Sequence, residues 1–222
     1  MSTGPRIAIA ASPRKPNRNT NTTVKFQEAA GELSRRFEDS LSAPIQVGEN
    51  CISAVLNTSN LAFDFAVALA EAVWPMRLTT SLVSVGHQVG PTPDANAHTR
   101  ALAAVMEARR SGSAFNFNIT SRKAPEMRMA ETAALLHATI REDWTPTRAA
   151  AVRTYRNLGK QKEVAAKLGI TQQAVSQMLR GARLRELSAL EATMQEWLVE
   201  ESRPGLWPLS SFEKGPALSA QA

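Results

Sequence analysis

Between Lys160 and Gly181 the chain reads KQKEVAAKLGITQQAVSQMLRG. Apolar residues stand at Val164, Ala165 and Leu168, and again at Ile170, Val175, Met178 and Leu179. Spacings of three and four place each set on one side of a helix, so the pattern predicts two short amphipathic helices. Gly169 falls between them, where a left-handed turn favours glycine, and Thr171 is placed to cap the second helix with its hydroxyl. Ala165 is the small residue that lets the helices cross closely. Gln172, Gln173, Ser176, Gln177 and Arg180 are left on the outside.

Upstream the periodicity changes several times. Arg6–Ala11 is an apolar run ending at Ser12-Pro13 and predicts a first strand, and Ser12 to Thr23 reads as a loop. Val24, Phe26, Ala30, Leu33, Phe37 and Leu41 recur at helical spacing until Pro44 breaks the run. Ile45–Val47 and Cys51–Leu56 flank Gly48-Glu49-Asn50 as a tight hairpin. Asn60 is placed to cap a helix over Leu61–Val73, which is apolar on most sides and stops at Pro75. Met76–Gly86 alternates like a strand, and a loop at Gly90–Pro93 leads to Asp94 and a helix through Arg110. Ser113–Ile119 puts Phe115, Phe117 and Ile119 on one face of a half-buried strand. The order is β-α-β-β-α-β-α-β. Its first six elements follow the ferredoxin-like order, with helices expected over one face of a mainly antiparallel sheet.

Pro125–Arg141 predicts a connecting helix with Met129, Ala133, Leu136 and Ile140 on one side. Thr145-Pro146 then opens a helix over Thr147–Leu158, the first of the helix-turn-helix unit. From Arg183 to Glu200 a seam runs through Leu184, Leu187, Leu190 (or Glu191), Met194, Trp197 and Leu198. Two fates are open to it: packing back on its own domain, or pairing with a second copy. The tail from Ser202 to Ala222 is rich in Pro, Gly and Ser and is expected to be loosely held, although Leu206, Trp207, Leu209 and Phe212 could dock. The fold class is therefore α+β: a ferredoxin-like domain over 1–124, a connecting helix over 125–144, an all-α helix-turn-helix domain over 145–201, and a tail over 202–222.

Charge adds a partner to this picture. Between Ala151 and Glu186 the chain carries Arg153, Arg156, Lys160, Lys162, Lys167, Arg180, Arg183 and Arg185 against only Glu163 and Glu186. That surplus equals the formal charge of the whole chain, +6, so everything outside is neutral in sum. A basic surface confined to one helical unit is an electrostatic footprint for a polyanion. It predicts double-stranded DNA as the partner, with the recognition helix Thr171–Arg180 in the major groove. Gln172, Gln173, Ser176 and Gln177 would face base edges, and Arg180, Lys160, Lys162 and Lys167 the flanking phosphates. Such proteins commonly bind paired half-sites, which predicts a homodimer. The remaining composition, 43% hydrophobic and 21% charged, is ordinary. Cys51 is the single cysteine and suits a reducing cytoplasm. No apolar run reaches the ~20 residues of a membrane span, and Ile7–Ala11 is too short for a signal peptide.

Other chemistry is sparse. His87, His98 and His137 share no metal-ligand spacing with one another or with Cys51. Gly86-His87-Gln88-Val89-Gly90 lacks the Gly-Lys-Ser/Thr of a phosphate-binding loop. Ser12, Arg14, Lys15 and Arg18 could hold an anion after the first strand, although such a loop is more often merely solvated. Trp74, Trp144 and Trp197 sit at helix ends or on apolar seams and read as core.

Over roughly residues 6 to 186 the order of elements resembles the SatD-like family. Its members join a ferredoxin-like domain, similar to nucleotide cyclases and polymerase palms, to a C-terminal helix-turn-helix. A strand ending at Val85-Gly86, then Asp94 and Arg100-Ala101 on a helix, is similar to a segment of that family. Where the family carries Gly-Asp after the first strand, this chain reads Ala10-Ala11-Ser12; where it carries Gly-Asp-Glu in the hairpin, this chain reads Gly48-Glu49-Asn50. Palm-type chemistry needs carboxylates from neighbouring strands to hold Mg²⁺, and Glu49 alone cannot form a two-metal clamp. The expectation is thus a regulator with no catalytic residues, metal site or cofactor, whose N-terminal domain serves dimerisation or ligand sensing, the effector being unknown. The alternatives are a nucleotide-binding or degenerate nucleotidyl-cyclase-like protein, or a helix-turn-helix used for protein contacts.

Overall fold

Ile and Ala alternate along Arg6–Pro13, and this strand, β1, becomes the centre of a five-stranded sheet. The computed structural model describes residues 5–15, 21–86 and 93–199. After β1 come helix α1 (Thr22–Arg36), the hairpin strands β2 (Gln46–Val47) and β3 (Ile52–Leu56), helix α2 (Ala62–Ala72) and strand β4 (Leu78–Val85). Helix α3 (Pro93–Arg110) then leads to strand β5 (Phe115–Asn118). Five further helices follow: α4 (Ala124–Glu142), α5 (Pro146–Leu158), α6 (Gln161–Leu168), α7 (Gln172–Gly181) and α8 (Leu184–Val199). The sheet order is β2-β3-β1-β4-β5. β1 runs antiparallel to β3 and β4, β2 antiparallel to β3, and β5 parallel to β4. The fold is α+β, and its first six elements keep the ferredoxin-like order.

The sheet is covered on both faces, which corrects the expectation of helices on one side. Ile7, Ile9 and Ala11 pack with Phe26 and Leu33 of α1 and Phe63 and Phe65 of α2. Ala8 and Ala10 point the other way, with Val55, Val83 and Val85, onto Ala97, Ala101 and Val105 of α3. A strand buried on both faces reads as a continuous apolar run, because neither set of side chains meets water. Every residue of β4 is buried, and so is every residue of β1 after Arg6. The alanines on β1 and α3 keep this second layer thin.

Three element boundaries or faces differ from the pattern. The first helix stops at Arg36 rather than running to Leu41, because the chain is captured by the end of β3. Ser42 N–H donates to Val55 O and Asn57 N–H to Ser40 O, each at 2.8 Å. Asn60 does not cap α2; Leu61 occupies that place without a side-chain bond, and the Asn60 side chain accepts from Thr58 instead. On α4 the buried face is Ala130, Ala134, His137, Ala138 and Arg141, while Met129 and Leu136 are 58% and 57% exposed. Ala133 and Ile140 are partly buried. Small residues let α4 approach its neighbours, and His137 finds Glu191 inside while Arg141 is buried near the charge of Glu71, so hydrophobicity alone selected the wrong side.

The seam of α8 is buried within its own chain. Met194, Trp197 and Leu198 join the main core beneath the sheet, whereas Leu184 and Leu187 join a second core built by α5, α6 and α7. Glu191, not Leu190, is the buried member at the middle of the seam. The Arg122 guanidinium lies over the Trp197 ring at 5.2 Å. Trp144 and Trp197 are buried and Trp74 is partly so, as expected of core residues. Among the described residues no helix is long and apolar enough to cross a membrane. The tail over 202–222 lies outside the described residues.

Candidate nucleic-acid interface

Helices α5, α6 and α7 pack around Val152, Val164, Val175 and Leu179, with Leu168, Ile170 and Met178 packed against them. With Ala165, all seven apolar positions that define the pattern lie in this core, Val164, Ala165, Val175 and Leu179 buried and the other three partly so. The turn chemistry is equally local. Gly159 and Gly169 close α5 and α6 at φ 74° and 67°, where a Cβ would be strained. Thr171 then adopts an extended conformation, and its hydroxyl accepts from Ala174 N–H at 3.1 Å. Such a cap satisfies one of the donors left free at a helix start and is worth about 1 kcal/mol. Trp144 Nε1 donates to Ala182 O at 3.1 Å and fastens the end of α7 to the start of the unit.

That packing decides what faces water. Gln172, Gln173, Ser176, Gln177 and Arg180 are exposed, as are Thr171, Lys160, Lys162 and Lys167. The structure brings the four glutamine and serine side chains and Arg180 onto the outer side of α7, and no carboxylate interrupts them. Lys160 Nζ lies 3.2 Å from Glu163, an exposed i,i+3 pair that contributes little and leaves the lysine free to exchange partners.

Arg156 does not belong to this surface. Its guanidinium turns inward, with Nε donating to Glu71 at 2.9 Å and the two Nη atoms to Glu191 at 2.7 and 3.0 Å. His137 Nε2 reaches Glu191 at 2.7 Å, and Arg141 is buried close by. One charge counted toward the basic footprint is therefore spent joining α5 and α8 to α2. The sequence held one signal of this: Glu191 falls on a strict four-step along an otherwise apolar seam.

Electrostatics follow from burial at this junction. Burial pushes the Glu71 carboxyl above its ordinary range, opposed by the charges of Arg156 and Arg141. Burial alone would do the same to Glu191, but hydrogen bonds from His137 and Arg156 overcome it and hold this carboxyl low. Burial lowers the His137 pKa, so the ring is neutral at pH 7 and donates from Nε2. Arg156 is held above its usual value because Glu191 and Glu71 outweigh the effect of burial. Buried pairs of this kind add little net stability, yet removing one partner is costly.

The other candidate residues are not gathered into a site. Ser12 is fully buried and accepts from Arg109 Nη1 at 3.2 Å, while Arg14 donates to Leu78 O at 3.0 Å and pairs with Glu142 at 3.2 Å. Lys15 is exposed, and Arg18 and His87 lie outside the described residues. His98 is buried with Nδ1 2.8 Å from Ser53 Oγ, and burial lowers its pKa. Asp94 is held by Arg6 and Ser42, and Glu49 is exposed at the hairpin. Among the described residues no three His, Cys, Asp or Glu side chains gather where they could hold a metal ion.

Fold and surface together define an α+β protein bearing a compact helical unit with a polar outer helix. No protein-family model matches the chain, and no curated protein matches it. Among solved structures it is similar to the crystal structure of Regulator of Polyketide Synthase Expression from Bifidobacterium adolescentis, at 14% identity and a TM-score of 0.28, over 90% of this chain and 86% of that one. A likeness that loose carries no argument about function.

Proposed function

We propose that the protein is a sequence-specific DNA-binding transcriptional regulator that lays α7 in the major groove, working in the cytoplasm as a homodimer on paired half-sites. The observation that supports this best is the division of α7: Val175 and Leu179 buried, Gln172, Gln173, Ser176 and Gln177 exposed, and no carboxylate between them. A glutamine amide can pair bidentately with adenine, which makes these residues suited to base edges. Arg180, Lys160, Lys162 and Lys167 supply the phosphate contacts that position a protein on a duplex. The order of elements, similar to that of the SatD-like family, fits the same reading. It includes no catalytic step, since Glu49 is the hairpin's lone carboxylate and Asp94 is engaged by Arg6 and Ser42.

Selection of bound duplexes from a random DNA pool at ~150 mM salt tests the proposal, because non-specific phosphate binding is already weakened there. An enriched motif is the expected result, and two half-sites about one helical turn apart would carry the homodimer with it. A folded protein that enriches nothing refutes sequence-specific regulation and leaves the α7 face as a non-specific or protein-binding device.

A further inference from the structure

Glycine use around α7 is anomalous in two places. Four described residues sit at positive φ: Gly112, Gly159, Gly169 and Arg183. Where α5 and α6 end, glycine takes the left-handed conformation; where α7 ends, the residue is Arg183 at φ 53°. A side chain is strained there, and glycine is the relaxed choice. Conversely, Gly181 is the last residue of α7 and its φ is not positive, so its backbone conformation does not call for glycine. A Cβ at Gly181 would meet Arg148 Nε at 3.1 Å and Nη2 at 3.2 Å. The missing side chain thus makes room for a guanidinium delivered from the first turn of α5.

Gln173, Gln177 and Gly181 follow one another at steps of four, so Arg148 lies on the continuation of the face that carries the two glutamines. Arg180 and Arg183 are exposed and Arg148 is half-buried, and among the described residues none of the three side chains has a hydrogen bond or an ion pair. The C-terminal dipole of a helix favours cations. It does not account for keeping an arginine at a position where glycine would relieve strain.

We infer that Arg148, Arg180 and Arg183 form a phosphate clamp at the C-terminal end of α7, gripping the DNA backbone beyond the bases that the glutamines face. The inference rests on the DNA-binding reading above and extends it to two residues outside the outer face of α7. The clamp takes phosphate without regard to sequence. Its loss therefore weakens all duplexes alike.

The test uses the full chain and a fluorescently labelled mixed-sequence duplex of ~24 base pairs, titrated from ~50 to ~200 mM salt. Arg183→Gly is expected to raise the melting temperature by about 2 °C through relief of strain. The same variant should bind about 3- to 10-fold more weakly, with the salt slope reduced by about one. Arg148→Ala should show the same loss, and Gly181→Ala a smaller one, because its new methyl only pushes the guanidinium aside by a few tenths of an ångström. The double variant of Gly181→Ala and Arg148→Ala should bind no more weakly than Arg148→Ala alone, since both act on the same contact. If Arg183→Gly gains stability and keeps wild-type affinity and slope, or if the Gly181 and Arg148 effects add, the clamp is wrong while the DNA-binding reading stands. Wild-type protein that binds no duplex at ~50 mM salt overturns both.

Discussion

Replacing Glu191 by Gln probes the junction between the sheet and the helical unit with almost no change of shape. Glu191 accepts from His137 Nε2 and from Arg156 Nη2, both at 2.7 Å, and from Arg156 Nη1 at 3.0 Å. Glutamine keeps one oxygen but turns the other into an amide donor that faces a donor. It also removes the negative charge and leaves Glu71 as the one carboxylate bonded to Arg156. Removing one partner of a buried ion pair costs about 3–5 kcal/mol, and the retained acceptor puts this variant near the lower end. At about 2–4 °C per kcal/mol the melting temperature should fall by about 6–12 °C. Urea denaturation at pH 7, followed by circular dichroism and by tryptophan fluorescence, reads the same loss as a shift of midpoint at constant slope. A cost below about 1 kcal/mol would mean that the junction is no stronger than a surface ion pair, refuting the argument from burial.

Other consequences are more local. Thr171→Ala should lower stability by about 1 kcal/mol in the same titration, through loss of the α7 cap. Gln173→Ala should cost about 1–3 kcal/mol of binding and relax preference at one base pair, whereas Lys162→Ala should weaken all sequences alike and flatten the salt dependence. Uniform loss in both variants would show that α7 is not in the groove. The pH profile has a definite sign. His137 and His98 have folded pKa values below 6.5, so their contribution is complete above that pH and lost as pH falls through the lower folded values. Glu71 and Asp64, raised by burial, act in the opposite sense, since protonation relieves their cost. The wild type should lose stability from pH 7 to about 5.5, and His137→Gln should reduce that slope. An unchanged slope would contradict a buried neutral imidazole.

Much of the helical unit was legible because its determinants are local. Val164, Ala165, Val175 and Leu179 repeat at helical spacing, Gly169 stands where only glycine is relaxed, and Thr171 bonds a residue three positions on. The exposed side of α7 followed as the complement of that buried stripe. The faces of α4 and the second cover of the sheet were not legible. Ala130 and Ala134 are weakly hydrophobic, and His137 and Arg141 look like surface residues until Glu191 and Glu71 are seen beside them. The fate of α8 was ambiguous for the same reason, because an apolar seam does not say which surface will cover it.

The amino-acid sequence by itself determined the order of strands and helices, the turn and cap chemistry around α7, and the set of polar side chains left outside it. Each depends on residues within a turn or two of one another. Tertiary structure alone decided that α3 covers the second face of the sheet and that α8 spends its seam within the chain. It also turned Arg156 from a surface charge into a buried link among α2, α5 and α8. Those outcomes depend on partners far apart in the chain, 85 residues in the case of Arg156 and Glu71, and a buried charge is distinguishable from an exposed one only when its partner is in place.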